Sequence, residues 1–180
     1  MRRLRIASVA AAVMALLAIG TSAHANATTT TPHCSVQDGL KATMRSDGAA
    51  AGTAYIKFIY VNTDDDACAL TGTPGVQPVR GVNHTAVGPS SAHLHVSGRG
   101  GVVVLHARGG VASTAFGVET ALNYPHSKCM PKPVDGVLMH FAGVRAFYLR
   151  LPARAVGTLV CTRLQSTTTD AVTRGTPSGP

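Results

Sequence analysis

The sequence predicts an all-β protein, a β-sandwich or barrel built from many short strands. Three observations lead to this prediction. Apolar residues alternate with a period of two rather than 3.6, as strands with one buried face require. Clusters of Gly, Pro, Asn and Asp separate the alternating segments at short intervals. Four cysteines lie beyond an N-terminal apolar run, in a chain whose 180 residues suit a single domain.

The N-terminus predicts a signal peptide over residues 1–25, with residue 27 as the alternative cleavage point. Three arginines within the first five residues precede an uncharged, mostly apolar run at residues 6–19. Small residues at the spacing of a cleavage site follow, ending at Ala25 or Ala27. A membrane-spanning helix needs about 20 apolar residues. We therefore expect a secreted or wall-associated protein rather than an anchored one.

The net charge narrows the choice of partners. The full chain carries 16 Lys and Arg against 8 Asp and Glu, a formal net charge of +8. Removal of the signal peptide takes three arginines with it and leaves +5. That charge permits weak attraction to an anionic wall polymer, but no Lys- or Arg-rich cluster is present, so nucleic acid is not expected. We expect an unknown protein or cell-wall polymer as the partner, no cofactor and no stable membrane anchor.

Three segments are expected after the signal peptide. Residues 26–33 are polar and Thr-rich and are predicted to form a disordered lead-in. Residues 34–172 contain the alternating segments and all four cysteines, and they are the predicted β-sandwich domain. Residues 173–180 are polar and rich in Gly and Pro, and they are predicted to form a flexible tail, with fraying from residue 165.

Four alternating sets predict which side chains face the core. They are Ile56, Phe58 and Tyr60; Ala112, Thr114, Phe116 and Val118; Val137, Met139 and Phe141; and Phe147, Leu149 and Leu151. Shorter strands are expected at 40–44, 76–79, 93–96, 102–105 and 159–164. Lys57 lies opposite the first set. We expect its face of the sheet to be partly hydrated, because an unpaired buried charge is costly.

The cysteines are Cys34, Cys68, Cys129 and Cys161. An even number in an exported chain predicts disulfides, and no C-x-x-C pair supports a zinc site. Cys34 precedes the first predicted strand and Cys68 follows the second, so an antiparallel pair would place them at the same end. Cys129 precedes a strand and Cys161 lies on a later one. Of the three possible pairings we favour Cys34–Cys68 and Cys129–Cys161, each worth roughly 3–4 kcal/mol.

One series of motifs is more specific than the periodicity. It comprises the small-residue loop 48–54 before Tyr55, Asn62-Thr63, Cys68-x-Leu70, Gly72-x-Pro74-Gly75-Val76, Leu105, Gly109-Gly110, Cys129-x-Pro131, Gly136 and Cys161. In this series the chain resembles a secreted actinobacterial family labelled domain of unknown function 4232, over roughly residues 34–172. The resemblance implies an exported, immunoglobulin-like antiparallel β-sandwich with two disulfides. It implies no activity and therefore no catalytic residues.

Histidines carry the main alternative function. His93 and His95 are two residues apart, so on a strand they would face the same side. His84 and His106 could approach them, and two or three imidazoles could bind zinc or copper. The competing interpretation is an exposed strand face that happens to hold two imidazoles.

No hydrolase motif of the type G-x-S-x-G, H-E-x-x-H or S-x-x-K is present, so we expect no catalytic residues. The segment Asp64-Asp65-Asp66 lacks the alternating spacing of a calcium loop, and we expect a solvated turn whose backbone is hydrogen-bonded by Asn62.

The leading hypothesis is an exported, non-catalytic binding module of the bacterial cell envelope or the medium. A metal-binding envelope protein that uses the two histidines is the second hypothesis, and an unrecognised hydrolase is the third.

Overall fold

The computed structural model describes residues 30–93, 101–151 and 159–175. Most residues of these ranges lie in strands, which confirms the all-β prediction. The helical segments of the described ranges are two single turns, a 3₁₀ turn at Ala121–Asn123 and α1 at His126–Cys129. The strands are β1 Leu40–Ala50, β2 Thr53–Asn62, β3 Cys68–Thr71, β4 Gly75–Arg80, β5 Thr85–Ala86, β6 Ala92–His93, β7 Val102–Leu105, β8 Gly110–Glu119, β9 Pro131–Pro133, β10 Gly136–His140, β11 Phe147–Arg150, β12 Leu159–Cys161, β13 Thr167–Thr169 and β14 Thr173–Arg174.

Two larger sheets organise the described ranges. One contains β1, β2, β8, β13 and β6 in that order, with β14 pairing with β8 as a sixth strand. The other contains β11, β10, β4 and β5 in that order, and β3–β7 and β9–β12 form two-stranded ribbons. β2 and β8 pair over their whole length, from Thr53 opposite Glu119 to Asn62 opposite Gly110. This pair therefore forms the centre of the six-stranded sheet.

Side chains from both sheets share one hydrophobic core. Ile56, Phe58 and Tyr60 of β2 are 3%, 0% and 0% exposed, so the first alternating set faces the core as predicted. From the region of the other sheet, the Met139 sulfur accepts a hydrogen bond from the Tyr60 hydroxyl at 3.1 Å. Phe141 packs edge-on against the Tyr60 ring with 5.2 Å between centroids. Burial of each large side chain contributes about 1.5–3 kcal/mol, so this shared layer joins the two sheets.

The other three alternating sets differ in how deeply their side chains are buried. The second and third sets are buried as predicted, on β8 and on and just after β10. Phe147 and Leu149 of the fourth set are only half-buried, although Leu151 is buried. The reason is position, because β11 is an edge strand of its sheet and has a neighbour on one side only. The partly covered face of β11 becomes the wall of a groove described below.

The expectation of a hydrated Lys57 is wrong. Lys57 is 2% exposed, and its Nζ lies 3.1 Å from Asp47 Oδ1. Asp47 lies within the shift of register between Ser46 and Ala49, where β1 is irregular against β2. This irregularity brings a carboxylate to the lysine, so the charge is buried with a counter-ion rather than hydrated.

Two disulfides are present, as expected. Cys34 is bonded to Cys68 and Cys129 to Cys161, the pairs that the order of the predicted strands favours. The Cys34 N–H donates to the Ala69 carbonyl at 3.0 Å, which holds the chain before β1 beside β3. The second bond joins the end of α1 to β12, whose ladder partner β9 follows α1 directly.

Asn62 organises the turn after β2, as predicted. Its side chain is fully buried, and its amide group donates to the carbonyls of Asp66 at 2.8 Å and His106 at 3.2 Å. Its carbonyl oxygen accepts the N–H of Asp64 at 3.0 Å. One side chain thus satisfies backbone groups of two turns, which stabilises the start of β8 against the end of β2.

The predicted boundaries and strand directions need four corrections. The fold is not wholly antiparallel, because Thr168 on β13 lies opposite Ala92 in a parallel pair with β6. Fraying from residue 165 is wrong, because β13 pairs with β8 and its buried threonines suit a strand. The tail cannot begin at 173, because Thr173 of β14 lies opposite Ser113 of β8. The lead-in is ordered at its end, where His33 forms a parallel bridge with Ala69.

Several predictions fall outside the described residues. They include the signal peptide and its cleavage point, residues 26–29 of the lead-in, His95, and residues 176–180 of the expected tail. Within the part of the chain that the structure describes, no helix is long and apolar enough to cross a membrane.

Candidate functional site

A concave surface lies between β1 and β11, which are edge strands of the two sheets among the described residues. We call it the edge groove; its volume is about 1100 Å³. Its walls are Ala42–Met44 of β1 and Tyr148–Leu151 at β11, and the turn between β4 and β5 contributes Gly81, Val82 and His84. β1 and β11 each lack a second strand neighbour among the described residues. Since no described strand extends either sheet here, Ala42, Met44 and Leu149 are only partly covered and line the groove.

Asp135 holds the floor of the edge groove together. Its carboxylate accepts the Gly81 N–H at 2.7 Å, and its own N–H donates to the Val79 carbonyl at 3.0 Å. Its carbonyl accepts the Leu151 N–H at 2.9 Å and the Tyr148 hydroxyl at 3.2 Å. One residue between β9 and β10 therefore fixes the end of β4, the following turn and the end of β11. Such multiple bonding makes the site largely preformed.

The β4–β5 turn presents an aromatic and an apolar group at the rim of the edge groove. The His84 ring stacks on the Tyr148 ring with 4.0 Å between centroids and 17° between planes. The His84 backbone has a φ of +49°, a conformation that is uncommon for a residue with a side chain. Val82 is 94% exposed, although an apolar side chain gains nothing from such exposure. The turn thus places an exposed valine beside a partly exposed stacked imidazole.

A second, smaller concave surface adjoins the first at Gly81. We call it the basic groove; its volume is about 480 Å³. Arg80 and Thr85 line it from the β4–β5 hairpin, and Lys132 on β9 and Thr162 after β12 line it from the other side. Guanidinium, ammonium and hydroxyl groups are hydrogen-bond donors, so this surface is suited to bind oxygen atoms that carry negative charge.

Among the described residues, four titratable groups have displaced pKa values, and none of them lines either groove. Burial raises the pKa of Tyr60 far above its ordinary value. Burial also raises the pKa of Asp170, whose Oδ1 has no hydrogen-bond partner among the described residues. The hydrogen bond to Glu119, helped by burial and by the charge of that carboxylate, raises the pKa of Tyr124. The Asp65 carboxylate raises the pKa of the Arg108 guanidinium that bonds it at 2.6 Å.

The structure does not bring the predicted histidines into one described cluster. His93 ends β6 and is exposed, while His95 lies outside the described residues. His84 stacks on Tyr148, and His106 lies in the turn before β8. Within 30–93, 101–151 and 159–175, no group of three His, Cys, Asp or Glu side chains is arranged to hold a metal ion. The zinc or copper site at His93 and His95 stays a prediction.

Sequence reasoning missed both grooves. Arg80, Lys132 and Arg150 are far apart in the chain, so no local cluster of basic residues marks them. The one local signal was the Asp135-Gly136 pair after β9, which indicates a turn. Nothing in that pair shows that the aspartate would accept a hydrogen bond from a glycine 54 residues away.

Comparison with known proteins yields a family and no individual relative. A family model described as a domain of unknown function (DUF4232) matches residues 34–172. No curated protein and no solved structure matches the chain. The match covers more than half of the chain and includes both disulfides and every residue named in the two grooves.

Proposed function

The chain belongs to this family of domains of unknown function, and from that premise we propose that it is an exported, non-catalytic binding module. The observation that carries the proposal is the edge groove, a preformed surface of about 1100 Å³ between two edge strands. Ligand sites are commonly concave, largely preformed and mixed in character, with volumes of about 300–1,000 Å³. The edge groove is concave and held by the hydrogen bonds of Asp135, its volume lies just above that range, and Val82 and the stacked His84–Tyr148 pair give it contact groups.

We propose an immunoglobulin-like sandwich as the architecture and the cell exterior as the location. The shared core and the Tyr60–Phe141 contact between the regions of the two sheets support the first proposal. The two disulfides support the second, because such bonds persist in oxidising compartments. Mass spectrometry of the protein recovered from culture medium and cell wall tests the location. A processed chain that begins at Asn26 or Thr28 with both disulfides intact is expected, and an unprocessed, reduced chain would contradict export.

The binding function is tested by capture with matched variants. Val82 and Leu122 are both highly exposed apolar side chains, at 94% and 77%, but only Val82 lines the edge groove. Immobilised wild-type chain is incubated with envelope and medium fractions, beside V82D and L122D. We expect one saturable species that the wild type and L122D retain and V82D loses. Equal retention by all three proteins would contradict a role for the edge groove.

Catalysis is tested separately, because hydrolase activity was a distinct hypothesis. A panel of ester, peptide and glycan substrates is incubated with the purified chain. We expect no turnover above background. Turnover that survives repurification and is lost on denaturation would contradict the proposal of a non-catalytic module and indicate an enzyme.

A further inference from the structure

The edge groove and the basic groove meet at one turn. Gly81 lines both, and it stands between Arg80 in the basic groove and the Val82 tip at the edge groove. The two surfaces are therefore neighbouring parts of one larger concave region. We call this region the Gly81 junction; it consists of the two grooves as defined above.

Positive charge dominates the Gly81 junction. Arg80 and Lys132 line the basic groove, and Arg150 lines the adjoining edge groove. All three side chains belong to exposed residues, and within the described part of the chain none of them forms an ion pair. Asp135 is the single carboxylate that lines either groove, and one of its oxygens accepts the Gly81 N–H. The residues that line the two grooves thus carry three cations and one carboxylate.

The backbone holds the two sides of the basic groove close together. Lys132 lies on β9 opposite Val160 of β12, and the bond between Cys129 and Cys161 ties this ribbon to α1. Gly88, after β5, packs against the ribbon with a φ of +71°. A Cβ at that position would lie 2.3 Å from the Cys161 carbonyl oxygen. Only a glycine permits this approach, so the cations are presented by constrained backbone rather than by a free loop.

We propose that the Gly81 junction binds a linear polymer that carries repeated phosphate groups. This inference rests on the proposed binding function and names its ligand class. Guanidinium forks bind phosphate oxygens in pairs, and the Lys132 ammonium and the Thr85 hydroxyl supply further donors. A single phosphate would occupy one part of a region of about 1100 and 480 Å³. The cations lie in both grooves, so a chain of anions that passes the Gly81 turn engages all of them.

Binding of labelled linear polyphosphate, measured by fluorescence anisotropy, tests the proposal. The groove variant is R80Q/K132Q/R150Q. The matched control K41Q/R145Q/R174Q removes three exposed cations that line neither groove, so both variants lose the same net charge. We expect the groove variant to bind about tenfold more weakly and the control to change less than about twofold. The logarithmic salt dependence of affinity should become shallower by roughly two in the groove variant.

Three outcomes would overturn the proposal. Undetectable polyphosphate binding by the wild type is the first. Equal weakening in the two triple variants is the second, because it would reduce the effect to net charge. The third is poly-glutamate binding as tightly as polyphosphate with the same dependence on the three cations, because the site would then recognise negative charge rather than phosphate. Unfolding midpoints of both variants are measured first, and if the groove variant is unstable the single variants R80Q and K132Q are compared with K41Q.

The capture experiment with V82D separates this proposal from the broader one. In one outcome, V82D loses a captured species that is not a phosphate polymer while polyphosphate fails to bind. That result would contradict the phosphate-polymer ligand and still support the binding function of the edge groove. If polyphosphate binds with the expected dependence on the cations while capture is the same for all three proteins, the ligand class stands and the edge-groove partner is wrong.

Discussion

The two disulfides close loops of nearly equal length in two differently packed regions. Their sequence separations are 34 and 32 residues. Cys34 and Cys68 belong to the main hydrophobic core, whereas Cys129 and Cys161 form a separate small cluster with Ala121. Chain entropy alone assigns both bonds a similar stabilisation of about 3–4 kcal/mol. The packing around each disulfide therefore determines how its removal changes the stability of the protein.

One disulfide reinforces a hydrophobic core, whereas the other holds a region that has little core of its own. Around Cys34 the main core already joins the sheets through large side chains. Around Cys161 the small cluster contains few apolar neighbours, and β12 pairs with β9 alone among the described strands. The second disulfide also supports the ribbon that carries Lys132 into the basic groove. Stability and ligand binding should accordingly respond to different bonds.

The largest effect is expected from C34A/C68A. Loss of this bond releases a loop and leaves a small cavity in the main core, so the free energy of unfolding should fall by about 4 kcal/mol. Urea denaturation of the variant and the wild type measures the change, with the other disulfide intact in both. A decrease below about 1 kcal/mol would show that the main core holds the region without the bond.

A smaller global effect is expected from C129A/C161A. The β9–β12 ribbon can open without separating the two main sheets, so the main unfolding transition should lose only about 2 kcal/mol. Hydrogen exchange should show lost protection in β9 and β12 with β2 and β8 unchanged. Polyphosphate binding should weaken at the same time. Equal losses of stability in the two disulfide variants, with hydrogen exchange unaffected in the ribbon, would contradict a separate role for the second disulfide.

The buried ion pair of the main-core region is the next test. In D47A the Lys57 ammonium loses a carboxylate at 3.1 Å while its residue stays buried. Breaking a fully buried pair costs about 3–5 kcal/mol, but Asp47 is 19% exposed, so we expect about 2 kcal/mol. D38A, at an exposed acid without an ion pair among the described residues, is the control for urea denaturation. Equal free energies of unfolding for D47A and D38A would contradict a stabilising role for the contact between Asp47 and Lys57.

The smallest effect is expected at the polar pair beside the small cluster. Tyr124 packs on that cluster and its hydroxyl donates to Glu119. Y124F should cost below about 1 kcal/mol at neutral pH, as for an accessible hydrogen bond. Because the folded-state pKa of Tyr124 is raised, this stabilisation is present below the ordinary tyrosine pKa of about 10 and is lost as the pH rises through the raised value. Denaturation of wild type, Y124F and the control Y55F against pH measures it. A difference between wild type and Y124F that persists at high pH would contradict the assignment.

Much of the fold follows from patterns that are local in the chain. The alternation of Ile56, Phe58 and Tyr60 predicted their burial, because successive side chains of a strand point to opposite faces. The order of cysteines and strands favoured the observed disulfides, because the ends of an antiparallel pair meet. Asn62 was assigned to its turn from its neighbours alone. In each case the deciding contact involves residues whose spacing or order is visible in the sequence.

Other features depend on which distant segments the fold brings together. In the sequence, a lysine within a strand indicates a hydrated face of the sheet. In the structure, an irregular stretch of the neighbouring strand β1 places Asp47 next to Lys57, so the charge is buried as an ion pair. Arg80, Lys132 and Arg150 are isolated in the chain and share one concave region only after β4, β9 and β11 have packed. Periodicity reports the direction of a side chain but carries no information on its partners across the fold. The core and its disulfides could therefore be read from the chain, whereas the buried charge and the candidate binding surface were decided by the packing of strands remote in sequence.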